Sequence, residues 1–320
     1  MTTTRTRIPT YLAFDVEVAA VRRLSPNYTR VTFTGDLGNF ADGGPLGTRD
    51  MRLKIIVPAA ADALSPVDID TANEDWYRRW LTLDPSIRGH MRTYTARAAR
   101  LHQDPPEVDV DFVLHLNQGG HGGPATTWAA AAKPGDRLTI LGPNRHCPDP
   151  SGIEWRPPTP TPRHPVHLLL AADETACPAI AAILETLSRH YTGDVLIEVP
   201  DAADIQHLTA PPGVQIIWLV RGERDHGQML KRTVEEVMST LDFLEAGPSG
   251  DLPDVDIDTD ILWDTPQERP DRDHATLYAW IAGEAGTIRD IRRSLVLEHH
   301  VPRQHVAFMG YWRRGRAEAT

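Results

Sequence analysis

A proline-rich segment near the middle of the chain most strongly limits how the chain can fold. Residues 156–165 of the 320 residues read RPPTPTPRHP. Each proline fixes its own φ angle and lacks a backbone N–H, so this segment can be neither a helix nor a central strand. We predict an extended connector that separates one domain in residues 1–155 from another in residues 156–320. Two domains are also the ordinary expectation for a chain of this length.

Composition excludes several classes of partner. The net charge of −11 argues against binding to nucleic acid or to an anionic membrane surface, because both need a basic footprint. We find neither an amino-terminal leader segment nor an apolar run of the roughly 20 residues that a membrane helix requires. Cys147 and Cys177 are far apart and fit no zinc or disulfide framework. We therefore expect a cytoplasmic protein without membrane insertion, and a monomer.

The first half of the chain shows the pattern of short antiparallel strands. Apolar and polar residues alternate, as in half-buried strands, and turn residues separate the segments. The predicted strands are residues 14–21, 29–34, 51–58, 91–97, 108–116 and 136–141. Six strands of this kind predict a small closed antiparallel β-barrel.

The fourth of these strands carries residues that suit a nucleotide ligand. Arg92 and Tyr94 are two residues apart, so they project from one face of a strand, and Thr95 projects from the other. A guanidinium can bind a phosphate, and an aromatic ring can lie against another ring system. Without further context, an ordinary half-buried strand with two solvated arginines is the favoured interpretation of this spacing.

A glycine-rich loop interrupts the strand pattern. Residues 119–124 read GGHGGP, and an alanine-rich helix is predicted directly after them, with Pro124 at its first position. The N-terminus of a helix presents unpaired N–H groups at the positive end of its dipole, which suits a pyrophosphate. The alternative is an ordinary flexible loop before a helix.

The second half alternates strands and helices. Predicted strands cover residues 167–172, 194–199, 214–220, 276–282 and 305–311, and the later helices cover 226–241 and 286–298. This order predicts a parallel α/β sheet of about five strands, with its ligand at their carboxyl ends. No G-x-G-x-x-G motif or P-loop follows any of the strands, which argues against a classical NAD dehydrogenase or a kinase. Residues 244–274 are acidic, and we expect a solvated, mobile insertion there.

The ordered set of motifs resembles the siderophore-interacting protein family of flavin-dependent ferric-siderophore reductases, within the ferredoxin-NADP reductase superfamily. In the first half the resemblance lies in RTYTAR at residues 92–97, DFVLH at 111–115, GPATTWA at 123–129 and PGD at 134–136. In the second half it lies in DETA at 173–176, WIAGE at 280–284 and GYWRRG at 310–315. The resemblance implies an FAD-binding β-barrel domain followed by an NAD(P)H-binding α/β domain.

The resemblance also implies which residues contact the cofactors. The residues that match the FAD site are Arg92, Tyr94, Thr95, Asp111, Val113, His115, Gly123, Pro124, Ala125 and Trp128. In the second domain, Thr175 and Ala176 match positions near the flavin, and Gly283 and Glu284 match the nicotinamide path. Arg221 matches the place expected to meet the 2′-phosphate of NADPH.

A ferric siderophore is the substrate that the resemblance implies, and its complexes are often anionic. We expect Lys54, which matches a strand position facing the substrate cleft, to bind it. Arg52 shares that strand face, and Arg137 and Arg145 are further candidates. We assign no catalytic acid or base and no protein metal ligand, because electron transfer needs neither and the siderophore holds the iron.

Two alternatives to this function stay open at the level of sequence. The first is a flavin, quinone or general ferric-chelate reductase, and the second is a siderophore-binding protein without turnover. Ferredoxin is an alternative donor, but the chain ends ten residues after Gly310, without the further helix of relatives associated with ferredoxin, which favours NAD(P)H. The type of siderophore and the choice between NADPH and NADH are left undetermined.

Overall fold

The chain forms two compact units. The computed structural model describes residues 8–59, 69–73, 75–115, 122–147, 152–161, 165–241, 252–253, 255–257, 260–266 and 276–315. The two units divide between Ile153 and Glu154. The sequence put the domain boundary after residue 155, close to this point.

Unit 1 is built on one antiparallel sheet of seven strands with three helices. The strands are β1 (Tyr11–Ser25), β2 (Tyr28–Gly35), β3 (Arg52–Val57), β4 (His90–Thr95), β5 (Ala98–Arg100), β6 (Glu107–Val113) and β7 (Arg137–Pro143), in the order β4-β3-β7-β1-β2-β6-β5. The helices are α1 (Trp76–Thr82), α2 (Pro85–Arg88) and α3 (Pro124–Ala131).

The two edge strands of this sheet, β4 and β5, are consecutive in the chain. Between them the backbone changes partner: the N–H of Ala96 donates to Met51 O and the N–H of Arg97 donates to Asp109 O, both at 2.8 Å. The segment that joins the two edge strands is therefore bonded both beside β3 and to β6, and the sheet curves into a barrel. This confirms the predicted antiparallel barrel, while the three-residue strand β5 was not predicted because residues 91–97 were treated as one strand.

The interior of the barrel is filled by the apolar residues that alternate with polar ones along β2 and β6. Val31 and Phe33 of β2 and Val108, Val110 and Phe112 of β6 are all fully buried. Because successive side chains of a strand point to opposite faces, these residues lie on one face of the β2–β6 pair and form its apolar interior. The polar residues between them, Thr32, Asp109 and Asp111, lie on the other face, where Asp109 and Asp111 are buried and paired with arginines.

Unit 2 is an α/β sheet of six strands. The strands are β8 (His167–Ala172), β9 (Thr192–Val199), β10 (Val214–Val220), β11 (Trp263–Asp264), β12 (Leu277–Glu284) and β13 (Val306–Trp312), in the order β10-β9-β8-β12-β13-β11. The helices are α4 (Cys177–Leu184), α5 (Gln228–Ser239) and α6 (Ala285–Arg293), and a π-helical turn at Ser294–Glu298 continues α6. Five strands are parallel, as predicted, and β11 alone runs antiparallel to its neighbour β13.

The predicted solvated insertion is wrong for the part of residues 244–274 that the structure describes. Leu262 is 1% exposed, and Val255 and Ile257 pack against the main core of unit 2. Strand β11 then joins the sheet edge, where Asp264 accepts hydrogen bonds from the buried Arg292 at 2.9 and 3.0 Å. Apolar residues between the acidic ones explain this attachment. Residues 244–251, 254, 258–259 and 267–274 lie outside the described residues.

No helix in the described part of the chain has both the length and the apolar character needed to span a membrane.

We predict that Asp264→Ala destabilises unit 2. The substitution removes the carboxylate partner of Arg292, whose side chain is 4% exposed, so a buried guanidinium loses its counter-charge. We expect a loss of roughly 2–4 kcal/mol in the free energy of unfolding, measured by urea denaturation. Asp290→Asn is the control, because Asp290 pairs with Lys231 in an exposed ion pair that is expected to contribute less than about 1 kcal/mol. Equal effects of the two substitutions would show that the attachment of β11 contributes no stability.

Candidate functional site

Tyr94 joins an aromatic cluster in unit 1. Its ring centroid lies 4.5 Å from that of Phe112 on β6, and Phe112 lies 5.7 Å from Trp128 on α3. Trp128 also stacks on Phe33, at 6.1 Å between ring centroids. Two of the predicted site residues, Tyr94 and Trp128, are thus brought together through the barrel core. Phe33 and Phe112 were not predicted, since in the sequence they were ordinary alternating strand residues.

The N-terminus of α3 has the geometry of an anion site. Gly123 is its N-cap residue without a capping side chain, and Pro124 occupies the first turn. A Cβ added at Gly122 would lie 2.5 Å from Thr126 Cγ2 and 2.9 Å from His115 O, so only glycine fits there. At Gly123 a Cβ would meet no described atom within 4 Å. The first turn of α3 thus begins beside a tightly packed glycine and lacks a side-chain cap, an arrangement that suits a bound pyrophosphate.

Asp111 lies in a buried charge cluster. Its two carboxylate oxygens accept hydrogen bonds from Arg30 at 2.6 and 2.8 Å, and Arg97 Nε lies 4.0 Å away. Asp111 therefore holds two guanidinium groups in place, a role that the sequence did not reveal. Its two arginine partners were missed because Arg30 lies on β2 and Arg97 lies in the connection between β4 and β5.

The remaining predicted FAD residues differ in exposure. Thr95 and Val113 are 5% and 8% exposed, and Ala125 is a buried residue of α3. Arg92 is half-buried, and its Nη1 donates to Met91 O at 2.7 Å. The side chain of His115 is exposed. Contacts of Thr95, Val113 and Ala125 with a ligand would thus depend mainly on their backbone.

Lys54 projects from the face of the β3–β4 pair opposite to Arg92 and Tyr94. It pairs in register with Thr93, and its Nζ donates to Thr93 Oγ1 at 2.9 Å. Paired residues of antiparallel strands share a face, so Arg92 and Tyr94, on either side of Thr93, must point the other way. Arg52 shares the face of Lys54, as expected.

The structure does not bring the four predicted substrate cations together. Arg137 donates to Asp15 Oδ2 at 2.7 Å, with Glu17 at 3.8 Å, so carboxylates of β1 offset its charge. Arg145 donates to Gly38 O at 2.9 Å in a loop beyond β7. Only Lys54 and Arg52 are neighbours on one strand face.

Buried carboxylates line the carboxyl edge of the sheet in unit 2. Glu198, at the end of β9, is fully buried and accepts hydrogen bonds from the N–H groups of Gly227 at 2.9 Å and Leu230 at 3.2 Å. Glu284, at the end of β12, is the N-cap of α6 and accepts from Thr287 N–H at 2.8 Å. Each carboxylate therefore fixes the start of one helix and is favoured there by the helix dipole.

Arg221 is held inside this edge by two carboxylates. Its guanidinium donates to both oxygens of Glu174 at 2.9 Å and to Glu198 Oε1 at 3.1 Å, and the side chain is 13% exposed. Burial alone would raise the pKa of Glu174, but the neighbouring His226 and the Arg221 guanidinium hold that pKa at about 2. The charge of Arg221 is thus already matched, and the predicted contact with a 2′-phosphate would require this ion pair to break.

The other predicted residues of unit 2 surround Asp173. Thr175 donates through its N–H to Asp173 Oδ1 at 2.9 Å, and Glu284 N–H donates to Asp173 Oδ2 at 2.8 Å. A Cβ at Gly283 would lie 2.6 Å from Asp173 Oδ2, so the backbone must approach the carboxylate without a side chain. Ala176 is fully buried and offers no side-chain surface to a ligand.

Two residues that the sequence analysis did not assign also reach this edge. Trp312, at the end of β13, donates through Nε1 to Asp173 Oδ2 at 2.8 Å. His226 lies against Trp312 and near Glu174. It was predicted to begin a helix, but α5 begins at Gln228, after Gly227 with φ of 74°. The glycine at 227 is the signal that could have placed His226 in the preceding turn.

Comparison with known proteins now identifies the family. Residues 17–147 match the siderophore-interacting FAD-binding domain, and residues 165–315 match the siderophore-interacting protein domain. The chain belongs to the siderophore-interacting protein family. The resemblance drawn from the sequence motifs is therefore confirmed, and the two matched regions lie on either side of the division between the units.

Relatives of this family extend over nearly the full chain. The ferric vibriobactin reductase ViuB of Vibrio cholerae is 29% identical over 296 residues, covering 92% of this chain and 87% of ViuB. An NADPH-dependent ferric-chelate reductase of Escherichia coli is 24% identical over 302 residues, covering 93% of this chain and 92% of the relative. A crystal structure of a siderophore utilization protein from T. fusca has a TM-score of 0.66 at 27% identity, covering 98% of this chain and 97% of that one.

The residues of unit 1 fit the FAD that this family binds. An uncapped helix N-terminus suits the pyrophosphate, and only glycine fits at position 122 beside it. The half-buried Tyr94 could supply a ring, and Arg92 on the same strand face could supply a cation. FAD is therefore the cofactor of unit 1, and NAD(P)H is the electron donor.

We predict that Arg221→Met lowers the stability of unit 2. The substitution keeps the length of the side chain but leaves Glu174 and Glu198 buried without their cation. The expected loss in the free energy of unfolding is roughly 3–5 kcal/mol, measured by urea denaturation. Arg224→Met is the matched control, because Arg224 is exposed on the same turn and should change stability by less than about 0.5 kcal/mol. A loss no larger than that of the control would exclude a structural role for the ion pair.

Proposed function

We propose that this protein is an FAD-containing ferric-siderophore reductase, which passes electrons from NAD(P)H to Fe(III) held by a siderophore in the cytoplasm and so releases Fe(II). One observation carries the proposal: an FAD-binding domain with an anion-binding helix N-terminus is joined to an α/β domain of the same family. The names of the relatives, a ferric vibriobactin reductase and a ferric-chelate reductase, support the choice of acceptor.

The chemistry requires a cofactor between donor and acceptor. NAD(P)H gives two electrons as a hydride whereas Fe(III) takes one electron at a time, and a bound flavin supplies both kinds of transfer. Siderophores bind Fe(III) through hard oxygen ligands that hold Fe(II) less strongly, so reduction promotes release. The protein therefore has to bind and orient the reactants, and it needs no nucleophile of its own.

In unit 1, we assign the FAD contacts to strand β4, helix α3 and the end of β6. Strand β4 supplies Arg92 for a phosphate, Tyr94 for the isoalloxazine ring and the backbone of Thr95. Helix α3 supplies the N–H groups after Gly123 for the pyrophosphate, and Trp128 supports Tyr94 through Phe112. The segment of Asp111, Val113 and His115 borders the ribityl and adenosine portions, where Asp111 acts by holding Arg30 and Arg97.

In unit 2, we assign the NAD(P)H contacts to the carboxyl edge of the sheet, where parallel sheets bind their ligands. Thr175 and Gly283 lie against the Asp173 carboxylate at this edge, and Glu284 fixes the start of α6 beside them. Arg221 serves this site by neutralising Glu174 and Glu198. Since that guanidinium is engaged, we expect NADH and NADPH to be affected alike by changes at Arg221.

The proposal is tested with the purified holoprotein under anaerobic conditions. NADPH or NADH should bleach the flavin absorbance, and a ferric siderophore should then restore it while an Fe(II) chelator reports iron release. A protein that binds no flavin would overturn the proposal. Bleaching followed by re-oxidation with quinones but not with any of a panel of ferric siderophores would identify a quinone reductase, and siderophore binding without turnover would identify a binding protein.

We predict that Arg92→Ala weakens FAD binding about 10- to 100-fold, since it removes one charge-assisted contact to a phosphate. Titration of the apoprotein with FAD, followed by quenching of flavin fluorescence, measures the dissociation constant. Arg78→Ala is the control, because the side chain of Arg78 is 83% exposed on α1. An unchanged dissociation constant for Arg92→Ala would remove Arg92 from the site.

We predict that Lys54→Ala slows re-oxidation of the reduced flavin by an anionic ferric siderophore by about tenfold, because a cation on the path of an anion raises its encounter rate. Bleaching by NADPH should change much less. Stopped-flow absorbance separates the two half-reactions, and Lys133→Ala, which alters an exposed lysine paired with Asp136, is the control. Equal effects of Lys54→Ala on both half-reactions would refute its assignment to the siderophore.

A further inference from the structure

The imidazole of His226 is enclosed between two carboxylates at the carboxyl edge of unit 2. Its Nε2 lies 3.4 Å from Glu174 Oε2 and 3.8 Å from Asp173 Oδ2, and the side chain is 12% exposed. Both ring nitrogens are shielded from solvent, and neither has an aligned hydrogen-bond partner among the described residues. This arrangement favours a protonated His226, which is attracted by the charges of Asp173 and Glu174.

The same three residues have the spacing of a metal site, with one ligand atom from each lying within 4.8 Å of the others. Their oxygens are already used, however. Asp173 accepts from Thr175, from Glu284 N–H at 2.8 Å and from Trp312 Nε1 at 2.8 Å. Both oxygens of Glu174 accept from Arg221. A cation with a dehydrated coordination shell would have to displace these donors, whereas a proton on His226 displaces none.

His226 also contacts the last strand of the sheet through Trp312. The two rings are perpendicular, at 89°, with centroids 5.0 Å apart. Trp312 is bound through Asp173, so His226, Asp173 and Trp312 form one contiguous group. The turn that carries His226 begins directly after β10, and this group therefore ties that turn to β8 and β13.

We propose that protonated His226 is a positioning residue for NAD(P)H: it holds the turn of residues 221–227 and Trp312 in the arrangement that binds the dinucleotide. This proposal rests on the proposed function, because it names the edge of unit 2 as the NAD(P)H site. His226 itself touches neither reacting atom in this assignment. It acts through Asp173, Glu174 and Trp312.

The charges around the ring come from several elements. Asp173 and Glu174 follow β8, and Arg221 ends β10. Burial alone would lower the pKa of His226, and Arg221 lowers it further, but Glu174 and Asp173 prevail and raise it above its ordinary value. Burial, and then the charge of Glu174, raises the pKa of Asp173. Behind these groups lie two more carboxylates, Glu198 and Glu284, each engaged with a helix N-terminus.

The sign of the pH dependence follows from the raised pKa. His226 holds its proton at and somewhat above the pH where a free histidine would lose it, and it loses the proton as pH rises through the folded pKa. That loss removes one positive charge from the cluster of His226, Asp173 and Glu174, which faces an anionic dinucleotide in this proposal. It also releases the turn of residues 221–227. Affinity for NAD(P)H should therefore be high at low pH and fall at alkaline pH.

The test combines kinetics with a measurement that needs no ligand. In the wild-type holoenzyme, KM for NADPH in the bleaching reaction should rise by up to about tenfold for each pH unit above the pKa of His226, with little change in kcat, because only the protonated fraction binds. His226→Gln should give a high KM that does not vary over this range. His226→Lys restores a cation and should recover affinity at alkaline pH. NMR of the ring signals should give His226 a pKa above that of exposed histidines.

His207→Gln is the matched control, because His207 is exposed in the loop after β9 and has no place in the site. It should retain the wild-type profile of KM against pH. The inference is overturned if His226→Gln keeps that profile, or if the ring of His226 titrates at or below the pH of exposed histidines. Failure of the proposed function looks different: wild-type protein would then lack flavin, or NADPH would not bleach it at any pH.

Discussion

The hydrogen bonds to the buried carboxylate of Asp173 determine how the strand ends of unit 2 are arranged. This residue follows the central strand β8 and accepts hydrogen bonds from its own turn, from the end of β12 and from Trp312 at the end of β13. A fully buried carboxylate is costly unless its lone pairs are filled, and here donors from three separate segments fill them. The positions of Thr175, Gly283 and Trp312 thus follow from the need to satisfy one buried charge.

The other buried carboxylates around Asp173 also have hydrogen-bond or ion-pair partners within the protein. Glu174 binds Arg221, Glu198 binds both Arg221 and the start of α5, and Glu284 starts α6. Such a network favours one arrangement of the strand ends, because any displaced member leaves a buried charge without a partner. Such rigidity would suit the proposed NAD(P)H site, because small errors in the orientation of a bound dinucleotide lower the rate of hydride transfer.

The sequence allowed the fold and the family to be predicted because periodicity and ordered motifs are local signals. The barrel strands, the parallel strands of the second half and the helix after Gly123 all follow from patterns within a few residues. What sequence missed depended on distant partners: Arg221 meets Glu174 from 47 residues away and Glu198 from 23 residues away. Strands β5 and β11, of three and two residues, are too short to carry any periodicity. The acidic composition of residues 244–274 hid the few apolar residues that attach this segment to the core.

The closure of the barrel in unit 1 links the cofactor motif to the weakest part of the sheet. Arg92, Tyr94 and Thr95 lie on β4, which is the edge strand immediately before the backbone crosses to β6 through Ala96 and Arg97. Few backbone hydrogen bonds close the barrel at this connection between β4 and β5. Local opening of the barrel should therefore require the least free energy there. A ligand that contacts both β4 and α3 would bind the closed barrel and not the opened form. Its binding would therefore stabilise the closed barrel. If FAD contacts β4 and α3 as proposed, loss of FAD and local opening of the barrel are thermodynamically coupled.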